Sequence, residues 1–400
     1  MLARRFATAV SSAPLHRVAA RRALATAAAA ERIVFTSPHT SLDIPDKTIW
    51  EIAHERATDS GDRNAFICGL EHTKLTFAEL HESAGRLALA LAQDGVRKGD
   101  AVMVHSFNTI EYPIVVLALT ALGAVCSPSP PMFLATELAR QAKAANANYI
   151  ITHADLKDVA IEAADKVGIQ RKHIYTVGAT SVPNLKSVNE LIQREMGAFD
   201  FEKIDPDSNV LLPFSSGTTG APKARAAPSL ARNMVANAVQ VHHVQDLGDH
   251  SLGLLPFYHI YAMMLMHLSI YQGAAKVVLP RFEPHTFLNA LSTYKIRAAH
   301  VAPPIALFLA NHPMVKDYDI SATEFLVSGG APMGKEVENL VKARLGVGVK
   351  QAYGMTEASP AVNYTEDAFH KPFIDAIPKS PTGKILRRQL QEIENNKFAS

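Results

Sequence analysis

From Leu211 to Lys223 the chain reads Leu-Leu-Pro-Phe-Ser-Ser-Gly-Thr-Thr-Gly-Ala-Pro-Lys, an apolar run that passes into hydroxyls and glycines and closes on a lysine. A turn of this make-up can hold phosphate. Gly217 and Gly220 would let backbone N–H groups face inward without a side chain in the way. Ser215, Ser216, Thr218 and Thr219 would add hydroxyl donors, and Lys223 would add positive charge. The spacing is not that of a Walker A loop, which argues against a P-loop kinase or ATPase. A glycine-rich hairpin is the other reading of the same residues, because Gly, Ser and Thr also fill ordinary turns.

Four further segments carry residues able to do chemistry. Leu255 to Tyr261 reads Leu-Pro-Phe-Tyr-His-Ile-Tyr, Ser328 to Pro332 reads Ser-Gly-Gly-Ala-Pro, and Gln351 to Glu357 reads Gln-Ala-Tyr-Gly-Met-Thr-Glu. Near the carboxyl end, Pro378 to Arg388 reads Pro-Lys-Ser-Pro-Thr-Gly-Lys-Ile-Leu-Arg-Arg. Each residue has an ordinary reading by itself: Glu357 as a solvated carboxylate, Tyr353 as core, His259 as a satisfied buried imidazole, and Arg387-Arg388 as a solvated helix face.

Taken together and in this order, the five segments resemble the motifs of the adenylate-forming superfamily. The likeness is strongest to its acyl-CoA synthetase and 4-coumarate-CoA ligase branch, and Gln141 to Ala144 and Pro280 to Phe282 are similar to that branch as well. It covers residues 45–357 and 373–390. The resemblance implies an α/β fold with a large N-terminal adenylating domain of layered mixed and parallel sheets flanked by helices. It also implies a reaction in which a carboxylate attacks the α-phosphorus of ATP and coenzyme A then displaces AMP. Anion meets anion in the first step, so positive charge and Mg²⁺ are needed where charge accumulates. By resemblance Glu357 holds the Mg²⁺, Thr356 contacts the α-phosphate and Tyr353, followed by Gly354, packs on adenine. Gly329, Gly330, Ala331 and Pro332 would line the other face of the base, Ser215 to Lys223 would cradle phosphate, and Lys384 would bridge carboxylate and α-phosphate. His259 and Tyr258 would wall the acyl pocket. Met263, Met264 and Met266 suit either an apolar acyl lining or plain core packing.

The chain departs from this pattern twice. After Lys223, Ala224 to Ser229 replaces the family's glycine and Thr-His pair. Only 27 positions separate Glu357 from Lys384, where the family has a far longer block with a T-G-D motif and an arginine hinge. The expected organisation is therefore a presequence at 1–30, an adenylating domain at 45–365 cut short at its end, and a remnant at 371–395 carrying the lysine motif. A flexible tether of that length spans about 30 Å, so Lys384 would reach the nucleotide without being held there. Three readings follow: an impaired ligase, a nucleotide- or acyl-binding remnant, and a non-functional truncated product.

The elements that must position these residues follow an α/β rhythm. Leu80, Ala84, Leu87 and Leu91 share a helix face behind a Thr76–Glu79 capping box, with Gly95 as the stop. Strands are expected at 101–105, 124–126, 149–152, 276–279, 298–301 and 325–328, and helices through 122 and at 136–144, 284–294 and 334–344. Composition agrees: 400 residues, 48% hydrophobic and 20% charged, describe a globular chain with ample core. A net charge of +2 gives no field that suggests nucleic acid as a partner. The apolar stretch Tyr112 to Cys126 is too short for a bilayer and contains Pro113, so it reads as core and no integral membrane segment is expected. Cys68 and Cys126 read as small buried hydrophobes in a reducing compartment. Arg4, Arg5, Arg17, Arg21 and Arg22 precede the first acidic residue, Glu31, the make-up of a mitochondrial transit peptide, with a cytoplasmic tail as the other reading.

Overall fold

The computed structural model describes residues 41–194, 197–215 and 225–365. The chain divides into two units, Met1–Asp43 and Ile44–Ser400, and the elements below belong to the second. Strands are numbered along the chain. One sheet has β1 (Asn64–Cys68), β2 (Lys74–Thr76), β12 (His250–Gly253) and β13 (Ala275–Val278) in the order β12-β13-β1-β2, with β2 alone antiparallel. A seven-stranded sheet contains β3 (Ala101–His105), β4 (Val125–Ser129), β5 (Ala147–His153), β6 (Ile174–Val177), β7 (Lys186–Ser187), β8 (Asn209–Leu211) and β11 (Ser229–Leu230). Its order is β11-β8-β4-β3-β5-β6-β7, and only β11 runs antiparallel. The third sheet holds β14 (Ala298–Val301), β15 (Phe325–Ser328), β16 (Gly348–Gly354) and β17 (Ala361–Tyr364), parallel until β17 reverses. β9 (Phe214–Ser215) and β10 (Arg225–Ala226) form a separate ribbon.

Helices cover the sheets, as parallel strands require. In the helix Phe77–Gln93, Thr76 and Glu79 close the expected capping box and Leu80, Leu87 and Leu91 are fully buried. Each such leucine contributes about 1.5–3 kcal/mol by leaving water. The helix Glu111–Ala121 is buried from Tyr112 onward on every side, so the apolar stretch read as core is core. No described helix is long and apolar enough to cross a membrane. Both cysteines are free; Cys126 is buried, with its thiol pushed up to about 12, whereas Cys68 is only half-buried. The apolar run Leu211 to Phe214 is broken at Leu212-Pro213: proline cannot continue the ladder, and β8 and β9 go to different sheets.

Lys276 of β13 is 1% exposed and donates to Ser251 Oγ at 3.0 Å. Burial pulls its pKa from 10.5 to about 7. Between those values the unfolded chain binds more protons than the folded one, so stability rises with pH across that window and the full cost is present below it. Lys276→Met is expected to stabilise the fold at neutral pH by about 1–4 kcal/mol. In thermal melts the gain should shrink towards zero as the pH approaches 10.5.

Candidate functional site

β15 and β16 are parallel neighbours in register, Ser328 opposite Gln351, so the segments that follow them emerge from the same carboxyl edge. This brings Gly329, Gly330, Ala331 and Pro332 beside Tyr353, Gly354, Met355, Thr356 and Glu357. Gly329 is packed so tightly that a Cβ there would lie 2.9 Å from the ring of Tyr261. Gly330, Ala331 and Pro332 are exposed, and so are Tyr353 at 45% and Met355 at 43%. An aromatic face left to solvent beside a backbone turn is suited to stacking a flat heterocycle. Thr356 and Glu357 sit in a short 3₁₀ turn, Thr356–Ala358, rather than at a strand end. Gly354 is required by close approach, since a Cβ would meet Pro360 O at 2.5 Å.

The other half of the site arrives from the ribbon. Ser215 pairs with Arg225 across β9–β10, which draws together the two ends of the hydroxyl- and glycine-rich segment. Ser216, Gly217, Thr218, Thr219, Gly220 and Lys223 themselves, and Lys384, lie outside the described residues, as does the Arg-rich start. The chain leaving the ribbon comes directly to the 357 turn: Ser359 Oγ donates to Ser229 Oγ at 3.3 Å. Asn237 completes the junction, donating to Ala361 O at 2.9 Å and accepting from Ala361 N at 3.0 Å.

His259 stands at the N-terminus of the helix Ile260–Gln272, where its Nδ1 accepts from Tyr261 N at 3.3 Å. Capping through Nδ1 fixes the tautomer with the proton on Nε2, and desolvation lowers the ring's pKa, so it is a neutral donor at pH 7. That suits a wall better than a base. Tyr258 is half-buried, its hydroxyl facing Met132 Sδ at 3.8 Å. Met263, Met264 and Met266 are at most 1% exposed within the main core, which settles them as packing.

Several site-forming residues were not legible in the sequence. His300 of β14 meets Tyr364 Oη at 2.8 Å, with the Tyr261 ring edge-on to it, beneath the Gly329 turn. Burial, then Lys276 and Lys350, hold His300 at about 3. A histidine within Ala-Ala-His-Val was the available signal. Tyr261 Oη and Ser328 Oγ are buried there without hydrogen-bond partners. No cluster of three metal-ligating side chains exists among the described residues. A lone carboxylate at Glu357 still fits Mg²⁺, which is commonly held by one or two carboxylates together with substrate phosphates. Surface hollows of about 320 Å³ at Arg56 and Tyr271, and of about 290 Å³ at His72 and Tyr318, contain none of these residues.

The chain belongs to the AMP-binding enzyme family, whose model it matches over residues 53–395. It is 32% identical to 4-coumarate–CoA ligase 2 of Oryza sativa subsp. japonica over 349 residues, 82% of this chain and 61% of that protein. It is 30% identical to 4-coumarate–CoA ligase 1 of Solanum tuberosum over 375 residues, 90% of this chain and 66% of that protein. The chain thus spans less than two thirds of these relatives. In fold it is similar to a long-chain-fatty-acid–CoA ligase from Archaeoglobus fulgidus, with a TM-score of 0.77 at 23% identity, covering 89% of this chain and 75% of the other. It is also similar to an anthranilate CoA ligase solved with anthranoyl-AMP, with a TM-score of 0.76 at 20% identity, covering 86% and 68%.

Two stability effects follow from this geometry. Gly354→Ala should cost about 1–3 kcal/mol in urea unfolding, because the obstructing atom is backbone and cannot swing aside. His81, His105 and His267, each held at about 4 by burial, join His300 in staying neutral while unfolded histidines titrate at 6.5. The unfolded chain binds more protons below 6.5, so stability should fall continuously as the pH drops through that window. A flat urea midpoint between about pH 7 and 5 would contradict this.

Proposed function

We propose that the carboxyl edge of β15 and β16 is the nucleotide half of an acyl-adenylate site, and that the activity it descends from is AMP-forming ligation of an acyl or aryl carboxylic acid to coenzyme A. The observation that carries this is the Ser229–Ser359 contact. It sets the exit from the hydroxyl- and glycine-rich ribbon against the turn bearing Thr356 and Glu357. ATP would lie with adenine between Tyr353 and the Gly329–Pro332 turn and its phosphates toward Ser215–Lys223 and Thr356. Glu357 would hold the Mg²⁺ that the triphosphate brings, which supplies charge neutralisation at the phosphates. His259, offering Nε2–H, and Tyr258 would border the acid. Lys384 is the group assigned to the α-phosphate, and the Arg-rich start supports mitochondrial import.

A second reading is favoured by one fact: only 27 positions separate Glu357 from Lys384. On this reading 27 positions are too few for the family's long intervening block, and Lys384 would lose the orientation that speeds reaction between held groups. On this reading the chain binds ATP and acid but turns over weakly or not at all.

Calorimetry with ATP·Mg²⁺, paired with carboxylate-dependent pyrophosphate exchange over cinnamic and medium-chain acids, tests both. ATP binding is expected, with exchange far below ordinary ligase turnover. Glu357→Gln should weaken Mg²⁺-dependent ATP binding by about tenfold while leaving Mg²⁺-free binding unchanged. Failure to bind ATP in any condition would sink the site; exchange at ordinary ligase rates would sink the impairment.

A further inference from the structure

Asn108 lies in the loop between β3 and the helix Glu111–Ala121 and is 5% exposed. Its carboxamide makes no bond within its own sheet. Nδ2 stands 3.0 Å from Leu255 O, 3.1 Å from Gly253 O, 3.3 Å from Leu279 O and 3.5 Å from Leu254 O, while Oδ1 accepts from Phe257 N at 2.8 Å. The amide's two hydrogens serve the nearer carbonyls, and the remaining two oxygens complete a cage that only a donor can occupy.

The placement of those groups is informative. Gly253 ends β12 and Leu279 follows β13, so Asn108 sits at the carboxyl ends of two strands of a neighbouring sheet: Gly253 O already accepts from Leu279 N at 3.1 Å and takes Asn108 as a second donor, whereas Leu279 O lies past the end of its strand. It also grips both sides of Pro256, taking Leu255 O before it and Phe257 N after it. Phe257 is held a second time by its ring, edge-on to Tyr112 with centroids 5.5 Å apart, and is 1% exposed. The next two residues are Tyr258 and His259. Their direction is thus set by a residue distant in sequence and buried beneath them.

We propose that Asn108 is a positioning residue for the acyl wall: by clamping Leu255 and Phe257 it fixes the direction in which Tyr258 and the Nε2–H of His259 face the site. This rests on the reading of the site given under Proposed function. No other side chain meets both demands at that length. Aspartate keeps the acceptor for Phe257 N but sets a carboxylate against four carbonyls, and alanine leaves buried backbone groups unpaired.

The test uses the full chain with Asn108→Ala and Asn108→Asp, beside Leu87→Ala as a destabilised control in a core helix away from the site. The probes are ATP and a non-hydrolysable cinnamoyl-sulfamoyl adenosine. Both Asn108 variants should lose about tenfold or more in affinity for the sulfamoyl adenosine while ATP affinity stays within about twofold. Leu87→Ala should bind both probes like the parent. Loss of both probes in equal proportion by the Asn108 variants, or by the control as well, would show a merely structural role and overturn the proposal. An independent readout is the histidine long-range ¹H–¹⁵N spectrum, with the His259 signals identified by their disappearance in His259→Gln. The parent should show the Nε2–H tautomer, and Asn108→Ala should show mixed tautomers and a pKa moved back towards the ordinary histidine value. Unchanged His259 signals in Asn108→Ala would refute the positioning role whether or not any ligand binds. If the parent binds neither probe but the His259 signals shift as expected, the function assigned to the site falls and the positioning stands.

Discussion

Parallel strands all end on the same side, and the backbone groups that run past the last ladder bond must find partners or remain buried at a cost of about 1–3 kcal/mol each. That requirement shapes this molecule's working edge. Asn108 answers it for Leu279 O beyond β13 and for Leu255 O and Phe257 N, Asn237 for the first residue of β17, and the His259 imidazole for the start of the helix Ile260–Gln272. Asn108 and Asn237 each carry a side chain from one element to another, whereas His259 caps its own helix. The sheets are consequently locked together where the motifs emerge, and the same bonds that satisfy the backbone also aim Tyr258, His259 and the 357 turn.

The periodic elements were legible because their cause is local. The capping box at Thr76, the all-apolar helix after Glu111 and strands such as 298–301 and 325–328 follow from spacing and composition. The short pieces β8 to β11 were not, because two or three residues carry no period and Pro213 divides what looks continuous. At the site, the family resemblance implies that Gly329, Tyr353, Thr356 and Glu357 act together, and the register of β15 and β16 brings the segments that carry them to one edge. Asn108, Asn237 and His300 could not be found that way. Asparagine in a loop gives no pattern, and its worth here depends on carbonyls some 145 positions away in sequence.

The placement of Glu357 in a 3₁₀ turn has a physical sense. A carboxylate on a regular strand would be held at the height of the ladder, whereas a 3₁₀ turn after Gly354 lifts it clear of the sheet and leaves it in solvent. Gly354 makes that lift feasible by letting Pro360 O come within what would be the radius of a methyl group. The turn then folds back on itself, with Met355 N donating to Pro360 O at 3.0 Å, and its return leg becomes β17.

The reversal of β17 carries a vectorial consequence. Gly354 faces Ala361, but Ala352 faces Tyr364, and Thr365 Oγ1 reaches further back to Gln351 O at 3.0 Å. The chain therefore departs from the described fold heading toward the strands' origins, opposite to the carboxyl edge of β15 and β16. The same four residues that close the sheet, Ala361–Tyr364, thus also set the outgoing direction of the chain away from the 357 turn.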